Sequence, residues 1–229
     1  RGLGDVYKRQ HYDKAYTRAY TTEVVQGKHG VKITSHASVV AETVQKILDV
    51  TITWKIEAAG KIDADIAVTK DDEFPDLPRF GVRMFLDKKL SAVRYFGMGP
   101  QESYCDKHQA ASHGLYRADV GDLHEDYIRP QENGSHYDCE YVELNNSRYG
   151  IVASAEKAFS FNASYYTQEE LEKKTHNYEL TESDSVVFCV DYALNGIGSN
   201  SCGPVVLEQY RFDDVLFRFQ FTLIPYVKG

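Results

Sequence analysis

The sequence predicts an all-β protein: an antiparallel β-sandwich with one short helix. Three observations support this fold class. Apolar and polar residues alternate with a period of 2 along most of the chain, as in strands that have one buried face. Turn residues separate these segments, and only one segment carries helix signals. The 229 residues, 42% of them hydrophobic, are enough for one large domain with a sizeable core.

Two hairpins are predicted in the first third of the chain. The first joins strands at 17–25 and 30–40 through a turn at Gly27–Gly30. The second places Gly60 at the turn before the segment KIDADIAVTK, in which apolar residues occupy every second position from Ile62. This alternation indicates a hairpin with one solvated face.

The rest of the chain predicts seven more strands and the helix. The strands are expected at 79–87, 91–99, 135–146, 149–155, 159–166, 185–194 and 214–226. Thr167 and Glu170 have the spacing of a capping box, so the helix is expected near Gln168–Lys174, outside the sheets.

Charge and composition exclude several classes of partner. The net charge is −8, without a Lys/Arg cluster, so neither nucleic acid nor an anionic membrane is an expected partner. No run of about 18 apolar residues indicates a membrane helix. None of the four cysteines lies in a Cys-x-x-Cys pair, which favours free thiols in a cytoplasmic protein, and no His/Cys spacing supports a metal site.

The first ten residues, RGLGDVYKRQ, have neither a strand nor a helix period and resemble a translated sequencing-adapter remnant. We therefore treat 1–10 as a non-native leader and 11–229 as one domain that is truncated at its N-terminus. If the first strands of a sandwich are missing, an unpaired apolar edge is expected.

Two polar stretches in the middle of the chain each contain Pro-Gln-Glu and supply Glu102 and Glu132. One interpretation is a carboxylate pair for glycosidic acid/base chemistry. The other is that both carboxylates cap loops or pair with nearby arginines, at positions 94, 117 and 129. His108 and His113, near Asp106, lack a nucleophile elbow and are expected at the surface or the sheet rim.

The loop NGIGSNSCGP, Asn195–Pro204, is too rich in glycine and small polar residues for a helix or a regular strand. It lies between apolar strands and carries one thiol. Such a loop permits close approach of another group to its backbone.

Three motifs in order resemble the C-terminal domain of bacterial β-galactosidases of glycoside hydrolase family 2. They are Gly-x-Gly-Pro-Gln-Glu-x-Tyr-x-Asp at 97–106, Pro-x-Glu-Asn-Gly at 130–134 and Gly-Ile-Gly at 196–198. The segment at 159–180, a strand followed by the helix, also matches. The similarity extends from about Arg79 to the end and, more loosely, to the strands from Tyr12.

This resemblance implies a β-supersandwich related to galactose mutarotases. It implies that the catalytic glutamates lie in a separate TIM-barrel domain, which has no counterpart in these 229 residues. It also implies that this domain contributes the loop at 196–204 to the rim of the active site. Substrate contacts are therefore expected from Asn200, Ser201 and Cys202 in that loop, and from Glu102.

Further expectations follow from the family. In some members the position of Cys202 is a tryptophan that stacks on the sugar, and Cys202 departs from that version. The parent enzymes commonly use Mg²⁺ and Na⁺ in other domains, so no cofactor is expected in this chain. They are also expected to be homo-oligomers that act on galactosides.

A second class of function stays open at this point. The same sandwich is compatible with a free-standing mutarotase-like aldose 1-epimerase or a carbohydrate-binding module. An epimerase needs a His/Glu acid–base pair that faces one pocket. The histidines of this sequence do not lie in the strand contexts that the epimerase family uses.

Overall fold

The computed structural model describes residues 12–41, 46–198 and 205–229. These residues form antiparallel β-strands and one α-helix, which confirms the predicted all-β class. The strands are β1 Tyr16–Gly27, β2 Gly30–Val40, β3 Lys46–Glu57, β4 Ile62–Lys70, β5 Arg79–Asp87, β6 Ala92–Gly99, β7 Ser112–Asp119, β8 Ser135–Asn145, β9 Tyr149–Ser164, β10 Ser185–Leu194 and β11 Leu216–Val227; the helix is α1 Gln168–Lys173.

The chain forms two compact units. Unit 1 is the described part of Arg1–Pro78 and Asn195–Ile224, and unit 2 is Arg79–Leu194 with Pro225–Gly229. Unit 1 contains β1 to β4 and most of β11. Unit 2 contains β5 to β10 and α1.

Unit 1 is a sheet with the strand order β1-β2-β3-β4-β11. Both predicted hairpins are present, with Gly27 opposite Gly30 and Gly60 at φ 95° in the second turn. Strands β4 and β11 are antiparallel neighbours, and three pairs of apolar residues lie opposite each other on their buried face. These pairs are Ala64 with Phe221, Ile66 with Phe219 and Val68 with Phe217.

β1 is the outer strand of unit 1. All of its residues are exposed, and among the described residues it pairs with β2 alone. Its exposed apolar side chains include Tyr20 and Val24. Among the described residues, the outer edge of β1 therefore has no partner strand.

Unit 2 is a sheet with the strand order β5-β10-β9-β8-β6-β7. Its core is the apolar run Val186–Val190, which is buried between β5 and β9. The segments predicted as separate strands at 149–155 and 159–166 form the single strand β9, continuous through the exposed residues Glu156 and Lys157. β7 was not predicted, because as an edge strand it has no run of buried apolar positions.

Helix α1 begins where the sequence predicts. The Thr167 hydroxyl accepts a hydrogen bond from the Glu170 N–H at 3.1 Å, while the Glu170 carboxylate accepts from the Thr181 N–H. Leu171 is the buried residue of the helix, and Arg83 on β5 pairs with Glu169 at 2.8 Å. No helix in the described ranges is long and apolar enough to cross a membrane.

Candidate functional site

The predicted sugar-binding loop begins at a fixed point in unit 1. Asn195 is buried; its N–H donates to the Pro78 carbonyl at 2.9 Å, and its side-chain oxygen accepts from the Phe212 N–H at 3.1 Å. The Gly196 N–H donates to the Tyr210 carbonyl at 2.8 Å. Ile197 is already exposed, so the chain reaches the surface immediately after this anchor.

The three candidate residues of this loop, Asn200, Ser201 and Cys202, lie outside the described residues. Their roles in substrate binding stay predictions.

Glu102 lies in unit 2, in the loop between β6 and β7, and its side chain is only 4% exposed. Its carboxylate accepts hydrogen bonds from Lys107 Nζ and the Tyr127 hydroxyl, and from the Gly134 N–H at 2.9 Å. Burial acts to raise the pKa of Glu102, but these donors outweigh it and hold that pKa below its ordinary value. Glu102 is therefore ionised and engaged by protein groups, and its predicted contact with substrate remains untested.

Backbone geometry places the Gly134 donor. Gly134 has φ +71°, and a Cβ at this position would lie 2.4 Å from the Leu123 carbonyl oxygen. Only glycine adopts this conformation in this space without strain. Ser103 adds a second link between the two loops, because its N–H donates to the Ser135 carbonyl at 2.7 Å.

A second polar cluster in unit 2, the Arg79 triad, consists of Arg79, Asp191 and Glu132. Arg79 donates from Nη2 to Asp191 Oδ2 at 2.5 Å and from Nη1 to Glu132 Oε2 at 3.2 Å. The Asp191 side chain is 3% exposed. Gly81, opposite Asp191 on β5, makes room for this carboxylate, since a Cβ there would lie 2.2 Å from Asp191 Oδ1.

The triad carries one more carboxylate than its single cation neutralises. Burial raises the pKa of Glu132; Arg79 opposes this shift, whereas Asp191 and Glu102 reinforce it. Burial alone would lower the pKa of Arg79, but the two carboxylates hold it well above its ordinary value. Glu132 Oε1 is inaccessible to solvent and has no hydrogen-bond partner among the described residues.

Both glutamates form ion pairs, but not with the arginines suggested by the sequence. Glu102 pairs with Lys107, and Glu132 pairs with Arg79. Arg94 pairs instead with Glu143, at 2.7 Å. An ion pair with a cation of the chain suits a loop-stabilising role for each carboxylate better than proton transfer to a substrate.

The predicted surface histidines lie where the sequence suggests. His108 donates a hydrogen bond from Nδ1 to the Tyr104 carbonyl at 3.0 Å. His113 lies on the edge strand β7, with its Nε2 3.0 Å from the Asp138 carbonyl. The sequence analysis overlooked His136. It is buried, with its two ring nitrogens 3.2 Å and 3.3 Å from the carbonyl oxygens of Gly134 and Pro100, and burial lowers its pKa.

The cysteines agree with the prediction of free thiols as far as they are described. Cys105, Cys139 and Cys189 form no disulfide with one another, and Cys202 lies outside the described residues. Burial raises the pKa of Cys189 to about 12 and that of Cys105 to about 11, so neither is a reactive thiolate. In the described ranges no three His, Cys, Asp or Glu side chains gather as metal ligands.

The described residues define an all-β antiparallel protein whose polar interior includes ion pairs between loops and strands. Comparison with known proteins narrows this class. A family model described as beta galactosidase small chain matches residues 4–223. The chain belongs to this β-galactosidase small-chain family, and the resemblance drawn from its motifs is confirmed.

Individual relatives agree with the family match. The chain is 45% identical over 97% of its length to a β-galactosidase of Actinobacillus pleuropneumoniae, and 34% identical over 93% to one of Staphylococcus xylosus. It spans about a fifth of the length of these curated relatives, 22% and 21% respectively.

The chain is also similar to a solved structure of a GalM/aldose epimerase homologue from C. elegans, with a TM-score of 0.41 and 10% sequence identity. The match covers 91% of this chain and 69% of the epimerase homologue's chain. So distant a likeness says nothing of function.

Proposed function

We propose that this chain is a non-catalytic domain of a larger β-galactosidase and that it contributes the loop at 196–204 to the rim of the active site. The observation that carries the proposal is the family match over residues 4–223 by a chain that spans only about a fifth of its relatives. The catalytic TIM barrel would then lie in another part of the same enzyme.

The state of the two candidate carboxylates supports the non-catalytic part of the proposal. Glycoside hydrolysis needs one carboxyl group that gives up a proton and a second one that attacks or activates water. Glu102 is ionised and bonded to Lys107 and Tyr127, and Glu132 is bonded to Arg79. Each carboxylate is thus engaged by a cation of the chain itself.

The anchoring of Asn195 and Gly196 supports the role of the loop. A rim loop must hold a fixed entry point while its tip presents side chains to the ligand. The bonds from Asn195 to Pro78 and Phe212 supply that entry point. Asn200 and Ser201 would then hydrogen-bond sugar hydroxyls, and Cys202 would lie beside the aglycone sugar.

The remaining parts of the proposal concern the parent enzyme. We place it in the cytoplasm, as a homo-oligomer that acts on galactosides, with its Mg²⁺ and Na⁺ bound by other domains. The net charge of −8 supports the absence of nucleic-acid and anionic-membrane partners.

The test of the loop is made in the parent enzyme. Cys202→Trp adds a stacking face, worth on the order of 1 kcal/mol, so the apparent affinity for the aglycone sugar should change roughly fivefold. Cys202→Ser, the matched control, should change it little. Equal kinetics for the Trp and Ser variants, together with an unaffected Asn200→Ala variant, would contradict the rim assignment.

A further inference from the structure

The chain contains two Asn-Gly pairs, Asn133–Gly134 and Asn195–Gly196. Because glycine has no Cβ to hinder its backbone nitrogen, that nitrogen can attack the side-chain amide carbon of the preceding asparagine. Both asparagines are buried, each with 5% of its surface exposed. The two pairs therefore differ not in exposure but in the group that binds the glycine N–H.

Hydrogen bonds hold both ends of the Asn133 side-chain amide. Its Nδ2 donates to the Gln131 carbonyl at 2.8 Å, and its Oδ1 accepts from the Glu125 N–H at 3.1 Å. The Asn133 backbone carbonyl accepts from Asn162 Nδ2 at 2.6 Å. The amide group that a nucleophile would displace is thus fixed, and turning it away from its present position breaks both side-chain bonds.

A charged acceptor binds the nitrogen that would attack. The Gly134 N–H donates to Glu102 Oε2 at 2.9 Å, and Lys107 keeps that carboxylate ionised. The nitrogen must lose its proton before it attacks, and an adjacent negative charge opposes this loss. Because its pKa is held below the ordinary value, Glu102 is also too weak a base to take the proton. The Gly196 N–H donates instead to a neutral acceptor, the Tyr210 carbonyl, at 2.8 Å.

We propose that Asn133–Gly134 is a site of succinimide formation and deamidation that the Glu102 carboxylate keeps unreactive in the folded domain. In the reaction, the Gly134 nitrogen gives its proton to hydroxide and forms a bond to Asn133 Cγ. The Cγ–Nδ2 bond breaks, and the amide nitrogen takes a proton from water and leaves as ammonia. Water then opens either C–N bond of the imide, which yields aspartate or isoaspartate at position 133. No electrons are transferred, and solvent water is the co-reactant.

The modification would not be reversed by refolding. Either product loses the Nδ2 donor that bonds the Gln131 carbonyl and adds a negative charge next to Glu132. Isoaspartate also lengthens the backbone by one methylene group. The bond between Glu102 and Gly134 thus protects the junction of the two polar loops, a role for Glu102 that needs no contact with substrate.

The experiment follows both asparagines by peptide mass spectrometry while the purified 229-residue chain is incubated at mildly alkaline pH. One sample is folded, and the other is in urea above the unfolding transition. In urea both asparagines should deamidate at similar rates, because each is followed by glycine. In the folded chain Asn133 should react about a hundredfold more slowly than in urea, and more slowly than Asn195.

Glu102→Gln keeps a hydrogen-bond acceptor but removes the charge. It should accelerate deamidation of Asn133 about tenfold and leave Asn195 unchanged, because a bond to a charged acceptor is about twice as strong as one to a neutral acceptor. Glu143→Gln, the matched control at another buried glutamate, should change neither rate.

The rate at Asn195 separates local opening from unfolding, because an unfolded variant would react faster at both sites. In that case the folded wild-type chain decides: slower reaction at Asn133 than at Asn195 supports the proposal, and the reverse order overturns it. Equal rates at Asn133 in the folded and the urea-unfolded chain would also overturn it. So would a folded Glu102→Gln variant in which Asn133 reacts at the wild-type rate.

Discussion

The guanidinium of Arg79 bonds the carboxylate of Asp191 across 112 residues of sequence, at 2.5 Å. The contact arises where β5 pairs with β10, at a register shift between Asp191 and Ala193. Glu132 completes the triad from the loop before β8. The triad thus joins three separate segments of unit 2 around one half-buried cation.

The two carboxylates of this triad should respond differently to neutralisation. Asp191→Asn removes the buried partner of Arg79 and should lower the free energy of unfolding by about 3–5 kcal/mol. Glu132→Gln keeps an acceptor for Arg79 while it removes the surplus negative charge, so its effect at pH 7 should stay within about 1 kcal/mol. Urea unfolding of both variants measures the difference.

The pH dependence gives the control for this prediction. The pKa of Glu132 is raised in the folded state, so the folded protein binds more protons than the unfolded one above the ordinary value of 4.5. The contribution of Glu132 to the free energy of unfolding is therefore fully present below pH 4.5 and is lost as the pH rises. Relative to the wild type, Glu132→Gln should lose stability as the pH falls to 4.5. An equal loss of stability in the Asn and Gln variants at pH 7 would contradict the surplus-charge account.

His136 should make the fold sensitive to mild acid. Its pKa is lowered by burial, so below the ordinary value of 6.5 the unfolded state binds more protons than the folded state. Stability should accordingly fall as the pH decreases from 7 to 5. His136→Gln removes this proton uptake and should flatten the decline, measured as unfolding free energy at both pH values. His113→Gln, at the exposed edge strand, serves as the control, and an unchanged slope in the His136 variant would refute this assignment.

Gly134→Ala tests the backbone link to Glu102. A Cβ there meets the Leu123 carbonyl at 2.4 Å, and φ is +71°. The variant should lose about 1–3 kcal/mol of stability from strain, and more if the Gly134 N–H moves away from Glu102. Gly121→Ala is the matched control, because the nearest atoms to its Cβ lie at 3.7 Å. Thermal unfolding compares the two, and equal midpoints would show that the loop has another conformation.

Much of the fold could be predicted from local patterns. The hairpin turns at Gly27–Gly30 and Gly60 and the exact bounds of β5 and β10 follow from alternation and turn residues. β7 could not, because its positions are exposed or half-buried and carry no periodic signal. The junction within β9 was misjudged because Glu156 and Lys157 interrupt the apolar pattern, whereas the strand continues through them and only its register with β8 shifts there.

The candidate site was harder to predict for a different reason. The motif residues Glu102 and Glu132 were visible in sequence, but their partners depend on tertiary pairing. Asp191 reaches Arg79 only because β10 pairs with β5, and no local spacing reports that. The repeated Pro-Gln-Glu was the signal available in the sequence for the two polar loops. The glycine at position 134, which has a positive φ in the structure, was the signal for the place where these loops meet.

The most direct test of the central claim is hydrolysis of a chromogenic β-galactoside by the purified chain. The chain should show no turnover above a buffer blank, because its candidate carboxylates are held by Lys107 and Arg79 and the proposed barrel lies elsewhere. A parallel assay of galactose anomer interconversion should also show no acceleration. Robust hydrolysis that is lost in Glu102→Gln would contradict the account and would make this domain itself the enzyme.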